Sequence, residues 1–214
     1  MLGFSNKEAG YIAVSVLAAA VYHLHFYYLL KRRPDRISLG ITNRLRLAWV
    51  EAILVRRDYI TAVQTLRNLI MSASFLASTA VLLSLAMLHI AFGDRQLSGL
   101  DSVGALFDAS DPVLWRIKWL LLAVVLFGGF FNFSLTIRRY SHACLMFGLS
   151  PDSEAFADAA HIADTLDWGA LHNTLGMRCF YFSVPMTLWL LGPEWLFIGT
   201  AAMLAMLVVI DRGV

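Results

Sequence analysis

Residues Thr61–Phe92 read TAVQTLRNLIMSASFLASTAVLLSLAMLHIAF, and after Arg67 this run holds no Asp, Glu, Lys or Arg. A helix rises about 1.5 Å per residue, so about 20 apolar residues cross a hydrocarbon layer of about 30 Å. This stretch exceeds that length. Water would not solvate it, so it predicts a helix in lipid, with its basic start near Arg67 projecting past the apolar layer.

Working outward, four further stretches behave alike. The expected spans are 9–30, 61–92, 112–147, 171–191 and 194–210. Leu191-Gly192-Pro193-Glu194 is a turn signal that splits the last apolar run into a tight hairpin. The 214-residue chain is 59% hydrophobic and 15% charged, with a mean hydropathy of +0.67. Soluble domains carry roughly 25% charged residues. The expected fold is all-α, an integral membrane helical bundle of about five transmembrane helices plus two cytoplasmic amphipathic helices. The length fits a single transmembrane helical domain over residues 1–214. No fixed-period repeat is present. Cys144 and Cys179 read as packing thiols rather than a disulfide framework.

Charge distribution sets the expected orientation. Lys31-Arg32-Arg33 follows the first span, and Arg44, Arg46, Arg56, Arg57, Arg67, Arg138 and Arg139 fall on the same side. Among the 17 Lys and Arg, only Lys7, Arg95, Arg116 and Lys118 fall on the other. The positive-inside rule then predicts a multi-pass protein of a bacterial inner (plasma) membrane, N-terminus periplasmic and C-terminus cytoplasmic. The N-terminus lacks the basic region of a cleavable signal peptide. Trp115, Trp119, Trp189 and Trp195 form the expected outer aromatic belt, with Trp49 and Trp168 near the inner face.

Two connections read as surface helices. Over 42–57, Leu45, Ala48, Trp49, Ala52 and Ile53 form an apolar stripe at helical spacing, with the arginines off it. The second begins with Ser150 as N-cap and Pro151 at the first helical position. It is acidic at Asp152, Glu154, Asp158, Asp164 and Asp167, and is expected to dock against the basic helix, within one subunit or between two.

Polar residues inside spans are costly and mark function. Arg67, Asn68, Asn132, His172, Asn173 and Arg178 are expected at similar depth toward the cytoplasmic leaflet. They form either a hydrogen-bonded lattice that fixes the bundle or the lining of an ion or solute pathway. Their guanidinium and amide donors suit an anion better than a cation. His23, His142 and His172 form a candidate cofactor-binding set for haem, since paired axial histidines are one way a membrane bundle holds it. Glu154, Asp158 and His161 share one helix face, a spacing that could take a divalent cation, though no metal site is expected. Small residues at Ala73, Ala77, Ser74 and Ser78 permit close helix contact, within the chain or between copies.

Enzyme signatures are absent: there is no Gly-x-Ser-x-Gly, His-Glu-x-x-His, P-loop or dinucleotide fingerprint. No enzyme activity, catalytic residue or nucleic-acid partner is expected. The leading reading is a homo-oligomeric channel or transporter-like protein for a small ion or solute, its partners being the lipid bilayer and further copies of itself. The alternative is a non-transporting membrane subunit that binds haem, quinone or a partner complex.

Three segments carry a family resemblance. They are Ala62-Val63-Gln64-Thr65-Leu66-Arg67-Asn68, the upstream Asn43-Arg44 with Trp49, and Arg178-Cys179-Phe180-Tyr181-Phe182 leading to Pro185, Trp189 and Gly192-Pro193. The chain resembles a family of small bacterial and plant multi-span membrane proteins known only as a domain of unknown function. The resemblance implies the multi-span fold over nearly the whole chain, and no substrate or catalytic residue.

Overall fold

The structure, a computed structural model, describes residues 6–33, 36–93, 112–149 and 158–212. Among them are six helices: α1 (Asn6–Arg32), α2 (Ser38–Arg56), α3 (Tyr59–Phe92), α4 (Pro112–Phe147), α5 (Ala159–Leu188) and α6 (Pro193–Asp211). The all-α expectation holds. At 34 and 36 residues, α3 and α4 run about 51 and 54 Å, well past the hydrocarbon thickness.

Helices α1, α3, α4 and α6 are long and apolar enough to cross a membrane. Their outer surfaces match that solvent: Leu24 is 70% exposed, Phe75 73% and Val209 72%. The protein is therefore a helical membrane bundle.

The expected fourth span, 171–191, differs. It is the later part of α5, which starts at Ala159 and contains Pro185. The second surface helix and that span are one continuous helix. Asp164, Asp167, His172, Asn173 and Arg178 make α5 too polar to rank with the four apolar helices. Its described start is fixed by Asp158, whose Oδ1 accepts from the His161 N–H at 2.7 Å, an N-cap bond. The Ser150 cap, Pro151, Asp152 and Glu154 lie outside the described residues, as does Arg95.

Helix α2 ends where Arg57 adopts φ 54° and its N–H returns to Ile53 and Leu54. Asp58 then caps α3, accepting from the Thr61 N–H at 3.3 Å. The apolar stripe expected on α2 is corrected in part. Ile53 is buried and Trp49 packs on the core, but Val50 is the most enclosed residue and Leu45 is 64% exposed. The expected hairpin is present. Gly192 takes φ 151°, a conformation open to glycine, and Pro193 opens α6.

The chain divides into two compact units. The first holds Met1–Tyr28, Ala80–Gly128 and Arg178–Ile210; the second holds Leu29–Thr79, Gly129–Met177 and Asp211–Val214. In the first, Leu114, Trp189 and Leu196 form a core with Ile12 against it. There α6 approaches α5 at Gly199, where a Cβ would meet Leu188 Cδ1 at 2.8 Å and the Pro185 Cα at 3.1 Å. In the second, Val50, Leu66, Tyr140, Phe147, Ile162 and Leu166 lead the core. Trp115, Trp119, Trp189 and Trp195 belong to the first unit and Trp49 and Trp168 to the second. Both cysteines are free thiols.

Candidate functional site

In the second unit, α4 and α5 run antiparallel with a heptad register. Phe133 lies against Gly176 and Tyr140 against Gly169. Thr136 Oγ1, between them, donates to the Gly169 carbonyl at 3.2 Å. This register places His172 Nδ1 3.1 Å from Asn132 Oδ1. With the amide oxygen accepting, Nδ1 carries the proton and Nε2 stays an acceptor. Two residues of the expected pathway thus meet.

The other members are distributed differently. Arg67 and Asn68 are exposed on α3, because Ala62, Leu66, Ala73 and Ala77 set its buried face. Asn173 is half-buried. Arg178 belongs to the first unit, is buried, and stacks its guanidinium 4.0 Å from the Phe26 ring centroid. That is cation–π distance.

The histidines show a similar dispersal. His23 is in the first unit, with Nδ1 2.8 Å from the Ala19 carbonyl and its ring 5.2 Å from Phe182. His142 is exposed on α4. Asp158 is occupied as a helix cap. Among the described residues, no three His, Cys, Asp or Glu side chains gather as a metal site would require.

The expected docking of acidic on basic helix is present within one chain. Arg46 of α2 pairs with Asp167 of α5 and also donates to Asn43 Oδ1 at 3.0 Å. Burial pushes the Asp167 carboxyl above its ordinary value, Arg46 pulls it back, and Asp164 adds repulsion. Beside this pair opens a cleft of about 420 Å³, lined by Leu30, Asn43, Arg44, Asp164, Trp168 and Leu171.

The first unit contains a site that the sequence reading missed. Lys118 of α4 is 1% exposed and Glu8 of α1 is 7% exposed, with Nζ 3.5 Å from Oε1. The ammonium also lies 5.2 Å from the Trp189 ring centroid. Neither of those two charged atoms, nor Trp189 Nε1, has a hydrogen-bond partner among the described residues. The charge distribution alone groups Lys118 with Lys7, Arg95 and Arg116 on the outer side. The apolar neighbours of Lys118 one turn to either side, Leu114 and Leu122, are both buried and are the signal of an inward position.

Four apolar spans with charged groups enclosed between helices define a helical integral membrane protein. The chain belongs to the family described as "Protein of unknown function, DUF599", matched over residues 11–213. No curated protein and no solved structure matches it.

Proposed function

We propose that this protein conducts or carries a small ion or solute across a bacterial inner membrane as a homo-oligomer, without enzymatic chemistry. The observation that carries the reading is the enclosed Glu8–Lys118 pair. Two charges removed from water are costly even when paired, and a similar apolar pair packs as well or better. Ionisable groups inside membrane spans accordingly mark ion and proton paths. The Asn132–His172 bond supplies a second polar point, in the other unit. Exposure of Asn68 on α3 supports association of copies, because an amide facing lipid is satisfied by polar groups of a neighbouring helix.

The orientation has the N-terminus outside and the C-terminus inside, with α5 as the fifth crossing. An odd number of crossings is what puts the termini on opposite sides, and the Lys and Arg bias supports it.

The test is a proteoliposome flux assay on wild type, Glu8→Gln, Lys118→Met and the double variant, with ion and pH gradients applied in turn. Wild-type flux that the single variants abolish is the expected result. No flux from folded wild type under any gradient removes the reading. An absorption spectrum of the same preparation tests the haem-binding alternative, since a Soret band would favour it.

A further inference from the structure

Hydroxyls on these helices ordinarily bond back to their own backbone. Ser84, Ser134, Thr79 and Thr174 each donate to the carbonyl four residues earlier, at 2.8 to 2.9 Å. Ser15 of α1 does not: it is 4% exposed, and its Oγ has no hydrogen-bond partner among the described residues. Ser15 lies two turns, about 10 Å, along α1 from Glu8. Glu8, Ile12 and Ser15 are spaced i, i+4, i+7 and share one helix face. Ile12 on that face packs against Leu114, Trp189 and Leu196. The face therefore looks onto Trp189, whose ring lies beside the Lys118 ammonium. Within this one unit, Glu8 Oε1, Lys118 Nζ, Trp189 Nε1 and Ser15 Oγ are all buried without a hydrogen-bond partner among the described residues. An acceptor, donors and a hydroxyl left open in an apolar interior are the partners that a buried water takes, about two to four at a time.

We infer that the ion this protein conducts is the proton, and that it moves from Lys118 through Glu8 and bound water to Ser15. The assignment rests on the transport reading and names its ion. At 3.5 Å from Oε1, the Lys118 ammonium repels a metal cation from the carboxylate, and the carboxylate repels an anion from the ammonium. A proton meets neither barrier. It crosses by breaking one Nζ–H bond and forming one Oε1–H bond, which turns the ion pair into a neutral amine and a neutral acid. Taking charges out of water is costly, so the neutral form is within reach. Glu8 then gives the proton to a bound water, which also accepts from the Trp189 N–H, and Lys118 takes a replacement from water at the start of α1. Ser15 Oγ accepts the arriving proton and releases its own onward, so the hydroxyl ends as it began.

The test uses the full chain in proteoliposomes that enclose a pH-sensitive dye, with a valinomycin potassium potential as the driving force and gluconate as the anion. Wild type is expected to shift the internal pH at a rate that does not change when sodium or chloride is added. Ser15→Ala is expected to lower that rate about tenfold, the scale of one buried hydrogen bond lost. Glu8→Gln is expected to lower it at least as far. Ser15→Thr, which keeps the hydroxyl, is expected to retain most of the rate, and both Ser15 variants are expected to melt with wild type, so that lost flux is not lost fold. Sodium or chloride flux without any pH shift overturns the proton assignment and leaves transport standing. No flux of any ion from folded wild type overturns transport as well. A pH shift at the wild-type rate in Ser15→Ala overturns the path.

Discussion

Phe133 of α4 lies against Gly176 of α5 so closely that a Cβ at 176 would come 2.8 Å from its ring. Phe133 is fully enclosed, so the ring has little room to yield. Seven residues along each helix, Tyr140 covers Gly169, where an added Cβ would meet the ring at 2.5 Å. Gly176→Ala and Gly169→Ala are each expected to destabilise the protein by about 1–3 kcal/mol, the usual range for overpacking. Gly10→Ala, which meets nothing within 4 Å, should not destabilise it. Thermal unfolding in detergent checks this. A Gly176→Ala protein that melts with wild type would show that the seam adapts freely.

The enclosed ion pair gives a second expectation. Removing one partner strands the other charge in an apolar interior; removing both leaves only a packing problem. Lys118→Met and Glu8→Leu alone should each cost about 3–5 kcal/mol, while the double variant should recover most of that loss. Equilibrium unfolding of all four proteins closes the cycle. Additive losses in the double variant would mean that the two charges do not interact.

The bundle was legible because hydropathy acts along one helix at a time. The runs that became α3, α4 and α6 declared themselves by length alone, and Gly192-Pro193 marked the hairpin by backbone preference. Facing is a different matter. Arg67 and Asn68 looked inward because polar groups in spans usually are, yet the alanines of α3 set the contact face, and an alanine stripe scarcely registers in hydrophobicity. Asn132 and His172 do meet, since an antiparallel register brings matching positions of two helices together. Glu8 and Lys118 lie on different helices, and their meeting depends on rotations that no single-helix pattern contains. The join of the acidic segment to the expected span 171–191 was hidden for another reason: loss of hydropathy near Asp167 resembles the end of a span even where the helix continues.

The Arg46–Asp167 contact joins α2 to α5 with side chains only 17% and 27% exposed. Arg46→Asp should weaken the protein by about 1 kcal/mol or more, since it replaces attraction with repulsion at a half-screened site. Adding Asp167→Arg should restore most of the loss by rebuilding the pair in reverse. Melting temperatures of the single and double reversals decide it. A double reversal that melts lower than either single variant would mean that shape, not charge, holds these helices together.

Asp167 also predicts a pH response. Burial raises its carboxyl from the ordinary 3.8, with Arg46 opposing and Asp164 reinforcing. A raised folded-state value means that the folded protein binds this proton more tightly than the unfolded chain. The group's contribution to stability is then fully present below pH 3.8 and is lost as pH rises through the elevated value. Relative to Asp167→Asn, wild type should therefore lose stability on going up from strongly acidic pH, and the difference should level off once the carboxylate is fully ionised. Asp164→Asn removes the neighbouring repulsion and should move that loss to lower pH. Unfolding of the three proteins across the acid range measures both effects. A wild-type curve that runs parallel to Asp167→Asn throughout would show that the Arg46 guanidinium offsets the burial of this carboxylate completely.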